Sequence, residues 1–306
     1  MIALTKVREL TLHQPIQEGR PAFLSAASGL VRIGNFLYVI ADDENHLAVF
    51  RQESSEPGEV LRLFDGELSV DKSERKKAKP DLEAVTCLPA GLAGPHPLLL
   101  CMPSGSKEQR RAGALIPLDS KGAVYGGPEV IDLTQVFSFL QKYCGALNIE
   151  AVSVFGANIY FLNRGNKKQS GNAFIGFSLS AFMKSARGGA SLGGEDLVVN
   201  AALELGDISG VPLTPTDAVI VSPGRAIFTA AAEATDNSYD DGACHGSAIG
   251  VLDLSGKPLF IDMVDTKRKL EGVDAKPQGE GFSLLLVNDE DSHTDPSELL
   301  EAHIVL

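Results

Sequence analysis

Ile149-Glu150-Ala151-Val152-Ser153-Val154-Phe155-Gly156-Ala157-Asn158-Ile159-Tyr160-Phe161-Leu162 reads as two apolar strands joined by a tight turn, with one acidic residue near the start of the first. The same unit recurs along the chain. Leu82-Glu83-Ala84-Val85 precedes Leu98-Leu99-Leu100-Cys101, Thr216-Asp217-Ala218-Val219 precedes Arg225-Ala226-Ile227-Phe228-Thr229, and Leu270-Glu271-Gly272-Val273 precedes Phe282-Ser283-Leu284-Leu285-Leu286-Val287. A fifth version, Ser28-Gly29-Leu30-Val31 before Asn35-Phe36-Leu37-Tyr38-Val39-Ile40, carries a hydroxyl in place of the acid. Positions 28, 83, 150, 217 and 271 are 55, 67, 67 and 54 residues apart, so five copies fill 306 residues at about 61 each.

After each polar loop the pattern supports a third strand: 47–50, 112–116, 173–177, 248–252 and 299–305. It supports a fourth in the first four copies, at 60–64, 129–133, 197–205 and 258–264. The fifth copy runs out of chain, while Lys6–Leu12 is a strand without a copy of its own. An N-terminal strand that completes the last sheet removes an open edge, which is how β-propellers close. The expected fold is therefore all-β, one domain over 1–306, a five-bladed β-propeller closed by the N-terminal strand. A six-bladed ring is the alternative, with a degenerate blade within 102–148, where 134–143 reads as a short helix. A second short helix is expected over 180–186. The small residues Gly29, Ala84, Ala151, Ala218 and Gly272 suit innermost strands crowded around an axis.

Equivalent positions in a propeller lie at equivalent places around the axis. Ser28, Glu83, Glu150, Asp217 and Glu271 should then form one ring, with four carboxyl groups that cannot all stay ionised in a confined space without compensation. An oxygen-only donor set favours a hard cation, Ca²⁺ over Mg²⁺, and argues against zinc. The competing reading has these acids accept backbone N–H groups and tie blades together. The rim loops segregate charge. Lys107, Arg110, Arg111, Arg164, Lys167 and Lys168 are basic on the second and third copies. Asp42, Asp43, Glu44, Glu233, Asp236, Asp240, Asp241, Asp289 and Asp291 are acidic on the others. The basic run 72–77 is expected to be a solvated loop. His46, His245 and His293 are possible acids or bases, each equally readable as a surface histidine.

The net charge of −13, from 40 acidic and 27 basic residues, disfavours nucleic acid and anionic membranes as partners, and no stretch approaches a membrane-spanning length. A small anionic molecule is the expected ligand, and no protein partner is specified. The N-terminus lacks signal-peptide features, which implies a cytoplasmic protein, or a periplasmic or secreted one if a leader was removed. Cys87, Cys101, Cys144 and Cys244 show neither metal nor disulfide spacing and read as free thiols. The absence of Trp disfavours a sugar site built on stacking aromatics.

Ser28-Gly29-Leu30-Val31 with Tyr38-Val39-Ile40-Ala41-Asp42-Asp43, Gly105-Ser106-Lys107-Glu108, Phe161-Leu162-Asn163-Arg164 and Lys269-Leu270-Glu271-Gly272-Val273 resemble the calcium-activated nucleotidase (apyrase) family. The repeats also resemble the phytase-like and esterase-like bacterial propellers. The first resemblance implies a five-bladed propeller with a central Ca²⁺ and hydrolysis of nucleoside di- and triphosphates. It implies Ser28, Glu83, Glu150 and Glu271 as ring residues and Asp43, Lys107 and Arg164 on the substrate side, as the catalytic set. Asp217 stands where that family has Ser, and the family's Glu-Trp and double-Arg motifs are missing. The functional expectation is a Ca²⁺-dependent hydrolase of phosphoanhydride or phosphoester bonds. The alternatives are a non-catalytic, metal-stabilised binding scaffold and a lactonase- or esterase-like hydrolase.

Overall fold

The computed structural model describes residues 1–165, 171–234, 244–264 and 268–305. Strand β1 (Thr5–Glu9) belongs to the last blade. Blade 1 is β2 (Ala27–Ile33), β3 (Phe36–Ala41), β4 (His46–Arg51) and β5 (Glu59–Arg62). Helix α1 (Lys72–Ala78) leads into blade 2, which is β6 (Leu82–Leu88), β7 (Leu98–Pro103), β8 (Ala112–Pro117) and β9 (Glu129–Asp132). After α2 (Thr134–Cys144), blade 3 comprises β10 (Ile149–Phe155), β11 (Asn158–Asn163), β12 (Asn172–Ser178) and β13 (Leu197–Leu203), with α3 (Leu179–Ala186) between its last two strands. Blade 4 has β14 (Asp207–Ile208), β15 (Val211–Val221), β16 (Arg225–Glu233), β17 (Cys244–Asp253) and β18 (Pro258–Met263). Blade 5 has β19 (Lys269–Gln278), β20 (Gly281–Asp289) and β21 (Glu298–Val305).

Every sheet is antiparallel and runs in chain order, except that blade 5 is ordered β19-β20-β21-β1. Thr5 faces Glu301 and Glu9 faces Glu298, so the N-terminal strand closes the ring as expected. The innermost strands β2, β6, β10, β15 and β19 neighbour one another in a complete circle. The protein is a five-bladed β-propeller. The stretch that was the candidate for a sixth blade carries α2 instead.

The apolar residues form five buried clusters, one at each blade interface. This explains the long apolar runs of the second strands. In β3, Leu37 and Val39 pack toward blade 5 while Tyr38 and Ile40 pack toward blade 2, because side chains alternate and both faces of a blade are covered. Helices α2 and α3 lay Phe137, Leu140, Phe182 and Met183 into the space between blades 2 and 3.

The inner strands approach closely where blade 5 meets blade 1. A Cβ on Gly272 would lie 2.7 Å from the backbone nitrogen of Leu30 and 2.9 Å from the carbonyl carbon of Gly29, both backbone atoms of the neighbouring blade. Gly272→Ala is expected to cost about 1–3 kcal/mol by forcing β19 away from β2. Urea unfolding checks this, and a midpoint equal to that of the parent protein would contradict the close approach.

The four cysteines are free. Burial pushes the Cys87 thiol up to about 11 and the Cys144 thiol up to about 12, and it raises Cys101 and Cys244 as well. None is a thiolate at neutral pH, so none is an activated nucleophile.

Candidate functional site

Each innermost strand breaks its ladder with a β-bulge, in four of the five at the repeat position. Ala27 pairs with Ala41 and Gly29 with Ile40, which leaves Ser28 as the extra residue. Glu83 and Glu150 are extra in the same way, and the break in blade 5 spans Glu271 and Gly272. A bulge re-aims the side chain of its extra residue and ends regular pairing, a device common beside functional sites. Ser28, Glu83, Glu150 and Glu271 accordingly line one cavity of about 320 Å³ on the axis.

Blade 4 departs from the expected alignment. Its bulge falls between Pro215 and Asp217, so Thr216 is the extra residue and Asp217 pairs regularly with Thr229. A shift of one position turns a side chain to the other face of its strand. Asp217 therefore leaves the cavity lining and ties blades 4 and 5 together: its Oδ1 accepts from Ala218 N at 2.7 Å and its Oδ2 from Val273 N at 2.8 Å. Thr216, fully buried, holds the bulge position in blade 4 without lining the cavity, and it donates to Leu270 O at 2.8 Å. The inter-blade reading of the acids thus fits Asp217.

The cavity wall is almost wholly charged. Blade 1 supplies Asp42, and the α1 segment supplies Ser73, Lys76, Lys77, Lys79 and Asp81. Blade 2 adds Lys107 and Arg110, blade 3 adds Asn148 and Arg164, and blade 5 adds Lys269 and Asp289. Six carboxylates and seven cations face one space, so the ring acids meet partners carried by the chain itself. Lys79 pairs with Asp42, and with Asp81 at 3.0 Å; Arg110 reaches Asp81 at 2.6 Å. Arg164 pairs with the buried Glu233 and stands 3.8 Å from Glu150, whose Oε1 also accepts from Asn148 Nδ2. Lys269 lies 2.9 Å from Glu271 and 3.1 Å from Asp289.

This pairing does not fully offset burial. Desolvation pushes the carboxyls of Asp42 and Glu150 up to about 7, with neighbouring acids adding to it. Burial, then the nearby carboxylates, likewise raises Glu83 and Glu271 well above the ordinary range. Asp81, in contrast, is held low although burial pushes it up, because Lys79, Arg110 and the Ser104 hydroxyl act against that burial. Two features stand out. Glu271 Oε2 is buried with no hydrogen-bond partner among the described residues. Oxygens of Asp42, Asp81 and Glu83 lie within 4.8 Å of one another, the spacing of a cation site.

Of the substrate-side residues expected from the sequence, Lys107 and Arg164 line the cavity and Asp43 does not. The Asp43 carboxylate is turned aside and clamped by Arg75 Nε at 2.9 Å and Arg20 at 3.2 Å. The run at 72–77 is a helix with a buried Arg75, rather than a solvated loop. His46 is buried away from the cavity, and desolvation takes it down to about 4, while His245 and His293 are exposed elsewhere. Asn166, Lys167, Lys168, Asp236, Asp240 and Asp241 lie outside the described residues. Lys79, Asp81, Asn148 and Lys269 were not singled out in the sequence. The signal for three of them is positional: Asp81, Asn148 and Lys269 each stand two residues ahead of a ring residue, where a strand returns its side chain to the same face.

Residues 23–304 match the model of a family described as "Family of unknown function (DUF6929)". The chain belongs to that family. No curated protein matches it. Among solved structures, this DUF6929 protein is similar to a luciferin-regenerating enzyme, with 9% identity, a TM-score of 0.47, and 100% of this chain and 96% of that one covered. It is similar to the glutaminyl cyclase of Myxococcus xanthus, with 11% identity, a TM-score of 0.46 and coverage of 100% and 98%. It is also similar to a glucose dehydrogenase, with 11% identity, a TM-score of 0.47 and coverage of 97% and 98%. No helix among the described residues is long and apolar enough to cross a membrane.

Proposed function

We propose that the axial cavity of this DUF6929 protein binds a divalent cation, Ca²⁺ by its donor chemistry, together with a small anionic substrate, and hydrolyses a phosphoester or phosphoanhydride bond. The observation that carries this reading is the convergence of three carboxylate oxygens within 4.8 Å in a cavity that seven cationic side chains also line. The residues fit such an ion. The donors are all oxygen, and Glu271, which lines the same cavity, keeps its buried Oε2 without a hydrogen-bond partner among the described residues. Asp42, Asp81 and Glu83 would hold the cation, which when bound supplies a Lewis acid for a phosphoryl oxygen.

The remaining roles belong to the chain. Lys107 and Arg164 offset the negative charge of substrate and transition state, with Lys76 and Lys77 extending the basic wall. Proton transfer falls to Glu150, because a carboxyl poised at about 7 suits general acid–base work, whereas Asp43 is committed to Arg75 and Arg20. Asn148 orients Glu150 through its Oε1, which leaves the other oxygen to face the cavity.

Thermal melts of EGTA-stripped protein with and without Ca²⁺ test the cation. Stabilisation is expected to grow with Ca²⁺ concentration, reaching about 2.7 kcal/mol at a hundredfold excess over the dissociation constant, and Glu83→Gln should remove it. Coincident melts refute the metal. Turnover is tested on nucleotides, sugar phosphates, lactones and aryl esters, with Glu150→Gln as the control. Metal binding with no turnover in any class assigns the cavity to a binding scaffold, and turnover of lactones or aryl esters alone assigns it to an esterase-like hydrolase.

A further inference from the structure

Helix α1 and its cap carry three of their cations on one stripe. Lys72, Arg75 and Lys79 are spaced i, i+3 and i+7, so they fall on the same side of the helix and its C-terminal cap. Each meets a different acid. Lys72 pairs at 2.8 Å with Asp291, in the loop between β20 and β21 of blade 5. Arg75 pairs at 2.9 Å with Asp43 of blade 1. Lys79, the cap residue, buries its ammonium against Asp42 and Asp81. Between these clamps, Ser73, Lys76 and Lys77 face the cavity.

The last clamp coincides with the candidate cation site. Asp42 and Asp81 pair with Lys79 directly and Glu83 acts on its charge, and these three residues are the set whose oxygens lie within 4.8 Å of one another. An ammonium tethered to α1 thus occupies the electrostatic position of the ion. A second observation points to a cation in this cavity: the buried, unpartnered Oε2 of Glu271, which lines it from blade 5.

We propose that Lys79 is an internal competitor for the cavity's divalent cation, so that metal binding at Asp42, Asp81 and Glu83 displaces the lysine and releases the C-terminal end of α1. This inference rests on the metal reading above and adds its regulation. The ammonium already holds oxygens of Asp42 and Asp81 and would repel an ion bound to the same oxygens, so the ion enters as the ammonium leaves. Coupling of this kind is reciprocal: whatever loosens α1 favours the ion, and the ion loosens α1. A substrate anion that draws Lys76 and Lys77 toward itself acts on the same helix, which would link substrate and metal without any contact between them.

The test is calorimetric Ca²⁺ titration of the EGTA-stripped full chain as wild type, Lys79→Met and Lys79→Arg, with amide exchange followed at residues 72–79. Lys79→Met is expected to bind Ca²⁺ at least tenfold more tightly than wild type. Lys79→Arg, which keeps the charge, should bind like wild type. Ca²⁺ should also speed exchange at 72–79 in the wild type. Equal or weaker binding by Lys79→Met overturns the competition while leaving the metal reading intact, and slower exchange at 72–79 with Ca²⁺ does the same. No Ca²⁺ binding by any of the three removes the metal reading and this inference together. Should Lys79→Met not fold, the exchange response of the wild type decides the matter alone.

Discussion

Asp274→Ala is expected to destabilise the protein by about 3–5 kcal/mol, the usual cost of stripping one partner from a buried ion pair. Asp274 of β19 faces Arg32 of β2, with Nε to Oδ1 at 2.5 Å and the Arg32 backbone N–H donating to Oδ2 at 2.8 Å. Both side chains are under a tenth exposed. Burial raises the Asp274 carboxyl although Arg32 pulls it down, so the pair is not a clear net gain over an apolar one. Removing the acid, however, leaves a guanidinium stranded between the first and last blades. Urea unfolding of the single variant and of Arg32→Met/Asp274→Leu separates the two effects. The double variant should recover most of the loss, since replacing both partners by apolar groups is often close to neutral. A single variant within 1 kcal/mol of the parent would show that the pair does not carry the junction.

The second large effect is on pH dependence. Burial pushes the Glu150 carboxyl from its ordinary 4.5 up to about 7, so between these values the native state holds protons that the unfolded chain has lost. Stability then falls as pH rises, by about 3 kcal/mol for a group moved this far. Asp42, pushed to about 7, and Glu44, pushed to about 8, add to the same slope. Asp81 works in the opposite sense, because its lowered pKa gives stability that is lost on acidification below the ordinary carboxylate range. EGTA-stripped protein should therefore melt at a higher temperature near pH 5 than near pH 7.5. Ca²⁺ should flatten the part of this slope that comes from the cavity, while the share of Glu44, which does not line the cavity, persists. A melting temperature that rises from pH 5 to 7.5 without Ca²⁺ would mean that these carboxyls are compensated in the fold.

The fold was legible because a propeller repeats its physics. Each blade must bury both faces, so its second strand is a continuous apolar run, and five such runs with one spare N-terminal strand admit few closures. The site was legible where the bulge fell on the expected residue, as at Glu83, Glu150 and Glu271. It was not legible at Thr216-Asp217, because two adjacent polar residues satisfy the pattern in either register and only cross-strand pairing to β16 selects between them. Asp43 misled for a related reason: Asp42 and Asp43 are neighbours in the turn after β3, and that turn sends one to the cavity and the other to Arg75 and Arg20. The role of α1 was hidden because a run of lysines shows no apolar stripe, and the helix is held by ion pairs rather than by a greasy face.

The junction of β1 with β21 also has a mechanical meaning. The strands are antiparallel, with Thr5 opposite Glu301 and Glu9 opposite Glu298, so the chain enters one and leaves the other at the same end. Once the contacts of Met1 and Ile2 with Asp262 and Met263 of blade 4 give way, tension between residues 1 and 305 loads this junction one hydrogen bond at a time, in the geometry of a zip rather than of a shear. The ring should yield to force first at that seam, and only then present the interior of blade 5 to whatever is pulling.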